Sequence, residues 1–358
     1  MDNPLPPGSV IGILGGGQLG RMLALSASRL GFDTHIYDPA ANGPAARVAA
    51  RSWAAPWDDD GAVEHFASRC DAITFEFENI PATALAAAES MAPVRPGRRS
   101  LELTQDRLIE KRFIRDAGCR TVDFAEVNSA SDLEAGIARL GRPSILKTRQ
   151  FGYDGKGQIA IRDETDLESA WREIGEQPSI LEAFSPFQRE LSIVAARAAN
   201  GEMAIYPLAE NTHDGGILRV SKAPARVEAS TENAAIEISR AIGAGLDHIG
   251  VFAVELFDVD GQLIVNEIAP RVHNTGHWTM DACACSQFEQ HIRAIVGWPL
   301  GETAPHSACE MTNLIGDDVA NWQGLISQPS DCLHLYGKHD ARPGRKMGHI
   351  NRLFPLSA

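Results

Sequence analysis

The chain alternates short apolar runs with stretches whose apolar residues recur every three or four positions. Val10–Leu14 is such a run and predicts a strand. Gly15, Gly17 and Gly20 follow as G-x-G-x-x-G, then a helical pattern, then a second strand ending at Asp38. Asp71–Ile80 (D-A-I-T-F-E-F-E-N-I) predicts another buried strand that ends on polar residues. Strands alternating with helices predict a parallel sheet. A connector rich in Pro, Gly and basic residues, Met91–Leu108, leads into a helix with Thr104 as its expected N-cap. Beyond it, hairpin-like strands are expected around Ile145–Lys147, Gln158–Ile161, Leu191–Arg197 and Val251–Ile268. The tail, residues 301–358, is short and rich in Gly, Pro, Lys and Arg. These shifts predict three regions, 1–104, 105–300 and 301–358.

Composition narrows the class. The 358 residues are 44% hydrophobic and 22% charged, as in a soluble globular protein with room for two or three domains. No apolar run approaches the length that crosses a bilayer, and the N-terminal stretch lacks the pattern of a signal peptide. Cys70, Cys119, Cys283, Cys285, Cys309 and Cys332 are scattered without zinc or redox spacing, so reduced thiols and a cytoplasmic setting are expected. A formal net charge of −14 argues against nonspecific nucleic-acid binding. An anionic ligand would need a local basic cluster, and Lys338, Arg345 and Lys346 in Y-G-K-H-D-A-R-P-G-R-K-M-G-H form one.

Three stretches carry candidate chemistry. The glycine turn with Asp38 has the outline of a dinucleotide fingerprint, which would make the protein an NAD-dependent oxidoreductase. In Val251–Pro270, two strand-like runs flank Asp260-Gly261. A hairpin centred near Gly261 brings Glu255 and Glu267 opposite each other on one face. Facing carboxylates repel, and a divalent cation such as magnesium would reverse the sign. Ser144–Gln158 (S-I-L-K-T-R-Q-F-G-Y-D-G-K-G-Q) follows a strand with glycines and lysines that can close over phosphates, although it is no Walker A loop.

Together these stretches resemble the ATP-grasp superfamily, and within it the 5-(carboxyamino)imidazole ribonucleotide synthetases. The blocks G-G-G-Q-L-G-R-M-L, T-F-E-F-E-N-I, G-Y-D-G-K-G-Q, R-E-L-S-I-V, E-N-T-H-D-G-G-I-L, N-E-I-A-P-R-V-H-N-T-G-H-W-T and G-K-H-D-A-R-P-G-R-K-M-G-H-I are similar to that family's, in its order and over nearly the whole chain. Ala269 stands where related carboxylases have an asparagine, a departure that fits this family better than biotin carboxylase. The resemblance implies an α/β and α+β ATP-grasp architecture: a Rossmann-like parallel-sheet domain (1–104), an ATP-grasp region with a lid (105–300) and a small C-terminal domain that completes the substrate site (301–358).

The resemblance also implies roles. Arg107 and Lys147 would contact the ATP phosphates, with Gly152, Tyr153, Asp154, Gly155, Lys156, Gly157 and Gln158 as the lid. Glu182, Ala183, Phe184 and Ser185 would form the adenine hinge, and Glu190 would accept from the ribose hydroxyls. His213 and Asn266 belong to the ATP side, and Glu255 with Glu267 would carry Mg2+. Gln18, Leu19, Glu76, Tyr153, Asp154, Arg271, His273, Asn274, Lys338, Arg345 and Lys346 would meet the ribonucleotide and bicarbonate. Free N–H groups of the glycine turn would suit a ribose phosphate, with Asp38 capping a strand or turn. Arg271 would hold bicarbonate or carboxyphosphate, Asp154 or His273 would take the amine's proton, and Lys346 completes the catalytic set. The implied reaction is ATP- and bicarbonate-dependent carboxylation of 5-aminoimidazole ribonucleotide through carboxyphosphate, in purine biosynthesis. A homodimer in the cytoplasm is implied, with no nucleic-acid or membrane partner. Other readings are an ATP-grasp ligase with another acceptor, such as formate-dependent glycinamide ribonucleotide transformylase, and a non-catalytic nucleotide-binding module.

Overall fold

The computed structural model describes residues 4–152 and 156–356. Tyr153, Asp154 and Gly155 of the expected lid lie outside the described residues. Among the described residues the strands form three sheets. The first is parallel, in the order β3-β2-β1-β4, from β1 (Val10–Leu14), β2 (Asp33–Tyr37), β3 (Arg51–Trp53) and β4 (Ala72–Phe75). β4 is buried along its whole length and β1 along all but its first residue, which is why both read as continuous apolar runs. The helix Gln18–Arg29 packs Leu19, Met22, Leu23 and Ala27 into the core.

The second sheet is antiparallel, in the order β5-β8-β6-β7, from β5 (Phe124–Val127), β6 (Ser144–Thr148), β7 (Gln158–Ile161) and β8 (Ser179–Ala183). It has its own core around Val127, Leu133, Leu146 and Leu181. The third contains β9 (Arg189–Arg197), β10 (Met203–Ile205), β11 (Ala209–Asp214), β12 (Ile217–Ala223), β13 (Gly250–Val259), β14 (Gln262–Ala269), β15 (Ala308–Ile315), β16 (Asp331–Leu335) and β17 (Lys346–Phe354). Its order is β14-β13-β9-β11-β12-β15-β17-β16, with β10 on β9. The tail strands therefore continue the sheet of the glutamate hairpin: Val220 on β12 lies opposite Thr312 on β15. Among the described residues, no helix is long and apolar enough to cross a membrane.

Thr104 is not an N-cap. It closes the helix Arg98–Thr104, and its hydroxyl donates to Ser100 O at 2.8 Å. The next helix, Arg107–Asp116, is capped by Asp106, which accepts from the N–H groups of Leu108 (3.0 Å) and Ile109 (3.2 Å). An ionised acceptor at a helix N-terminus is stronger than a hydroxyl, and Asp106 has the β-region backbone that a cap requires.

Two buried histidines pin the third sheet, one to β4 of the first sheet and the other to the helix Arg98–Thr104. His291 Nε2 donates to Thr74 Oγ1 at 2.7 Å, and its Nδ1 accepts from Val251 N at 3.0 Å. His248 Nε2 donates to Val251 O at 3.1 Å and its Nδ1 accepts from Ser100 Oγ at 3.0 Å. Each ring is thus satisfied as the neutral imidazole, and burial pushes each pKa down to about 3. The folded-state value lies below the ordinary one, so the stabilisation is present above about pH 6.5 and is lost as pH falls toward 3. Other buried groups titrate too, so the test is differential. His291→Gln should be less stable than the parent at pH 7.5, and the deficit should shrink by about 1.4 kcal/mol by pH 5.5. Urea unfolding at both pH values measures it; a constant deficit would exclude neutral burial of His291.

Candidate active site

The hairpin of β13 and β14 turns at Asp260-Gly261, both with positive φ (51° and 79°), as a tight primed turn needs. Val259 lies opposite Gln262, a register that if continued would set Glu255 against Asn266. The register shifts between Glu255 and Leu256: Leu256 pairs with Val265, Asn266 is the extra residue, and Glu255 pairs with Glu267. A β-bulge therefore brings the carboxylates together. Lys111 Nζ donates to the carbonyl of Asn266 at 2.7 Å and so holds the bulge from behind.

Burial and the negative charge of Glu267 raise the Glu255 carboxyl to about 7. Burial would raise Glu267 too, but Arg107, whose Nη1 donates to its Oε2 at 3.0 Å, outweighs it and holds Glu267 below the usual range. Among the described residues, no cluster of three or more His, Cys, Asp and Glu could hold a metal. Two carboxylates paired across a hairpin fit Mg2+, which usually takes only one or two protein carboxylates and completes its shell with substrate oxygens and water.

On the same side, Lys147 on β6 donates to Glu182 Oε2 at 2.6 Å, and the fully buried Lys111 lies 3.4 Å from Glu182 Oε1. Burial works against the charge of Glu182, but the two lysines win and hold it at about 2. The Glu182 side chain is thus committed to lysines, leaving the hinge expected over Glu182–Ser185 to main-chain groups. Of these, Ala183 N already donates to Asp123 O (2.8 Å) and Phe184 N more weakly to Pro143 O (3.3 Å), while the Phe184 ring is exposed. Glu190 on β9 and His213 on β11 form an ion pair; burial lowers the His213 pKa, but Glu190 more than offsets it and the net shift is upward. Arg107 Nη2 donates to Gly152 O at 3.1 Å, and Gln158 opens β7 opposite Lys147. Lys156 is exposed, and Gly157 has φ +70° against Thr148.

The glycine turn differs from expectation. Its N–H groups are not free: Gly17 and Gly20 donate to the Glu76 carboxylate, and Gly16 donates to Asp38 Oδ2 at 2.7 Å. Carboxylates from the ends of β2 and β4 take the place expected for a phosphate, because a helix N-terminus draws whichever anion is nearest. Asp38 Oδ1 also accepts from Ala40 N, so both its oxygens are engaged by local backbone N–H groups, as a capping residue's are. Gln18 and Leu19 open the helix, but the Leu19 side chain is in the core, leaving its backbone for a ligand. A cavity of about 480 Å³ lies over the turn, lined by Gly16, Gly17, Glu76, Lys338 and Arg345 among others.

Arg271, His273 and Asn274 lie just beyond β14. The Arg271 guanidinium grips Glu78 through Nε and Nη2, the latter at 3.1 Å, while Nη1 donates to Val272 O. His273 Nε2 is 3.5 Å from Glu255 Oε1, and its Nδ1 pairs with Thr275 Oγ1 at 2.9 Å. Burial, then the charge of Arg271, press the His273 pKa to about 3. Gln287 accepts from His273 N and donates to His273 O, fixing that residue's backbone. Asn274 and Asn313 exchange reciprocal side-chain hydrogen bonds. Lys338 Nζ donates to Lys346 O at 2.7 Å and Arg345 Nη1 to Asp340 O at 2.9 Å. The positive charge of Lys346 bears on both His213 and His273.

Sequence reasoning missed Glu78, Lys111, Gln287 and Asn313. Lys111 had a signal: it stands between Leu108 and Ile114 on the buried face of its helix, where an unpaired charge would be costly. The other three are paired through contacts 14 to 193 residues apart, beyond any local pattern.

Comparison with known proteins extends this picture. A ribonucleotide synthetase preATP-grasp domain matches residues 9–105, an ATP-grasp domain 112–288, and a phosphoribosylaminoimidazole carboxylase C-terminal domain 309–355. The N5-carboxyaminoimidazole ribonucleotide synthase of Brucella melitensis is 48% identical, over 98% of both chains. That of Pseudomonas aeruginosa is 46% identical over 95% of this chain and 93% of its own. An ADP complex of an N5-carboxyaminoimidazole ribonucleotide synthetase superposes with a TM-score of 0.95 at 41% identity, covering 99% of this chain and 94% of the other. The Aspergillus clavatus N5-carboxyaminoimidazole synthase, in complex with ADP and 5-aminoimidazole ribonucleotide, superposes at 0.90 with 32% identity, covering 97% and 94%.

Proposed function

The chain belongs to the N5-carboxyaminoimidazole ribonucleotide synthases, and on that premise we propose how its residues carry out the reaction. It is an ATP-dependent carbon–nitrogen ligase of purine biosynthesis that carboxylates 5-aminoimidazole ribonucleotide. The observation that carries the reading is a junction. Arg271 and His273 stand between a half-buried carboxylate pair on one side and the glycine-turn cavity with its basic wall on the other.

Bicarbonate is a poor electrophile and needs activation. Its oxygen attacks the γ-phosphate of ATP, giving carboxyphosphate and ADP. Lys147 and Arg107 offset the charge developing on the phosphates. Mg2+ held by Glu255 and Glu267 would supply further neutralisation of those oxygens. Arg271 seats the bicarbonate. The exocyclic amine then takes the carboxyl group, directly or through carbon dioxide, as phosphate leaves. Asp154 or His273 receives the amine's proton, and we favour Asp154 because both ring nitrogens of His273 face partners, Thr275 and Glu255. Carboxyphosphate is lost easily to water, which gives the loop Gly152–Gln158 its role as a lid. Lys338, Arg345 and Lys346 hold the ribonucleotide phosphate and Glu76 its ribose, the carboxylate leaving the Gly17 and Gly20 N–H groups as the ligand enters. Glu190 accepts from the ATP ribose.

The family-model spans support the working segments 1–104, 105–300 and 301–358, and the family resemblance supports a homodimer in the cytoplasm. The deciding experiment is ATP consumption with the ribonucleotide and bicarbonate together and with each omitted. Turnover that needs neither would overturn the reading. Magnesium-ATP should also raise the melting temperature by mass action, whereas millimolar NAD should not. A shift from NAD alone, followed by thermal denaturation, would reinstate the dinucleotide fingerprint.

A further inference from the structure

Glu78 follows Glu76 by two residues, in the segment between β4 and the helix Ala82–Glu89. Its backbone is anchored: Gln105 Nε2 donates to the carbonyls of Glu78 and Ile80. From there its carboxylate crosses 193 residues of sequence to Arg271, at the exit of the metal strand. Burial would raise the Glu78 carboxyl, but Arg271 overrides it and holds it below the usual range, so Glu78 is an anion here. Glu76 and Glu267 also attract Arg271, which is therefore pulled from three sides.

A guanidinium has five N–H groups in two flat forks. Glu78 takes the fork made by Nε and Nη2, and Val272 O takes an Nη1 hydrogen. One N–H remains on each terminal nitrogen. The edge between Nη1 and Nη2 is the second fork of a guanidinium, whose spacing matches two oxygens of a planar carboxylate-like anion. We propose that Glu78 is a positioning residue of the carboxylation: by occupying one fork of Arg271 it presents the other as a two-pronged seat for bicarbonate. This rests on the reading of Arg271 as the bicarbonate residue. Glu78 also keeps Arg271 off Glu267, a carboxylate the metal needs. Its negative charge leaves the Arg271 site near neutral, so the seat selects a flat monoanion by shape and not a phosphate by charge.

The test is steady-state kinetics of Glu78→Gln and Glu78→Asp with ATP, ribonucleotide and bicarbonate each varied. In Glu78→Gln the KM for bicarbonate should rise by about 10-fold, the KM for ATP should change less than about 2-fold, and inorganic phosphate should inhibit more strongly. Glu78→Asp keeps a carboxylate on a shorter arm and should recover part of the loss. Arg271→Lys keeps the charge without a fork, so adding Glu78→Gln to it should have little further effect on bicarbonate. An unchanged bicarbonate KM in Glu78→Gln would overturn the proposal while leaving the carboxylation intact. So would equal weakening of all three substrates, the mark of a merely structural pair. If Glu78→Gln does not fold, Glu78→Asp decides alone: a bicarbonate-selective rise of about 3-fold supports the seat, and none refutes it. Parent enzyme that hydrolyses ATP without needing bicarbonate would instead sink the underlying assignment.

Discussion

Glu267→Gln should reduce ribonucleotide-dependent ATP turnover by at least about 100-fold, the scale on which loss of one well-placed electrostatic group acts. The substitution keeps size and shape and removes the charge of one of the two glutamates paired across β13 and β14. Arg107 keeps an acceptor, since the amide oxygen can stand where Oε2 stood, so its orientation toward the phosphates survives. Folding should survive as well. Glu255 is held near 7 partly by the charge of Glu267, and removing that charge relieves repulsion. The Glu255 carboxyl should therefore fall toward its ordinary value in the variant. Two measurements belong together: turnover at saturating ATP over a range of magnesium, and thermal denaturation without ligand. Near-normal turnover would remove Glu267 from the metal site. A large drop in melting temperature would assign the loss to folding.

Lys346→Ala should weaken kcat/KM for the ribonucleotide by about 10- to 150-fold, from a charge-assisted hydrogen bond worth roughly 1.5–3 kcal/mol. The placement of the residue sharpens this. Lys346 begins β17 beside a register shift opposite Ile315, and its charge is felt at His213 and His273. Arg345 lines the cavity over the glycine turn instead. The two neighbours should thus separate kinetically. Arg345→Ala should act mainly on the KM for the ribonucleotide. Lys346→Ala should also lower kcat and release phosphate without matching carboxylated product. Coupled assays of phosphate and product read the ratio directly. A loss in Lys346→Ala confined to the KM for ATP would take Lys346 out of the ribonucleotide half of the site.

Much of this arrangement was legible in one dimension because its signals are local. Val10–Leu14 announces a buried parallel strand by being apolar without alternation, Ala72–Phe75 does so with Thr74 as its one polar residue, and Asp260-Gly261 announces a hairpin by the backbone angles it tolerates. Counting six residues either way from Gly261 pairs Glu255 with Glu267, although the turn itself is centred between Asp260 and Gly261. The bulge at Asn266 makes up the difference, and no composition rule marks it. Thr104 illustrates competition between neighbours: two capping residues stood within three positions, and the ionised one prevailed. The occupants of the glycine turn were hidden for another reason. Glu76 arrives from 56 and 59 residues away, and only the parallel crossover, which sets β4 beside β1, puts it there. Charges that find partners by topology leave no periodic trace.

The tail's place in the third sheet limits what can be removed from this enzyme. β15 borders β12 over Val220–Ala223, and β17 borders β15 in turn. A protein trimmed at residue 300 would not be a smaller nucleotide-binding module. It would present the outer side of β12 as a raw strand edge, with main-chain donors and acceptors open to any passing chain. Such a fragment should clump rather than bind nucleotide. The clamp on one substrate doubles as the hem of the sheet that grips the other, so the two halves of the chemistry can be inherited only as one piece.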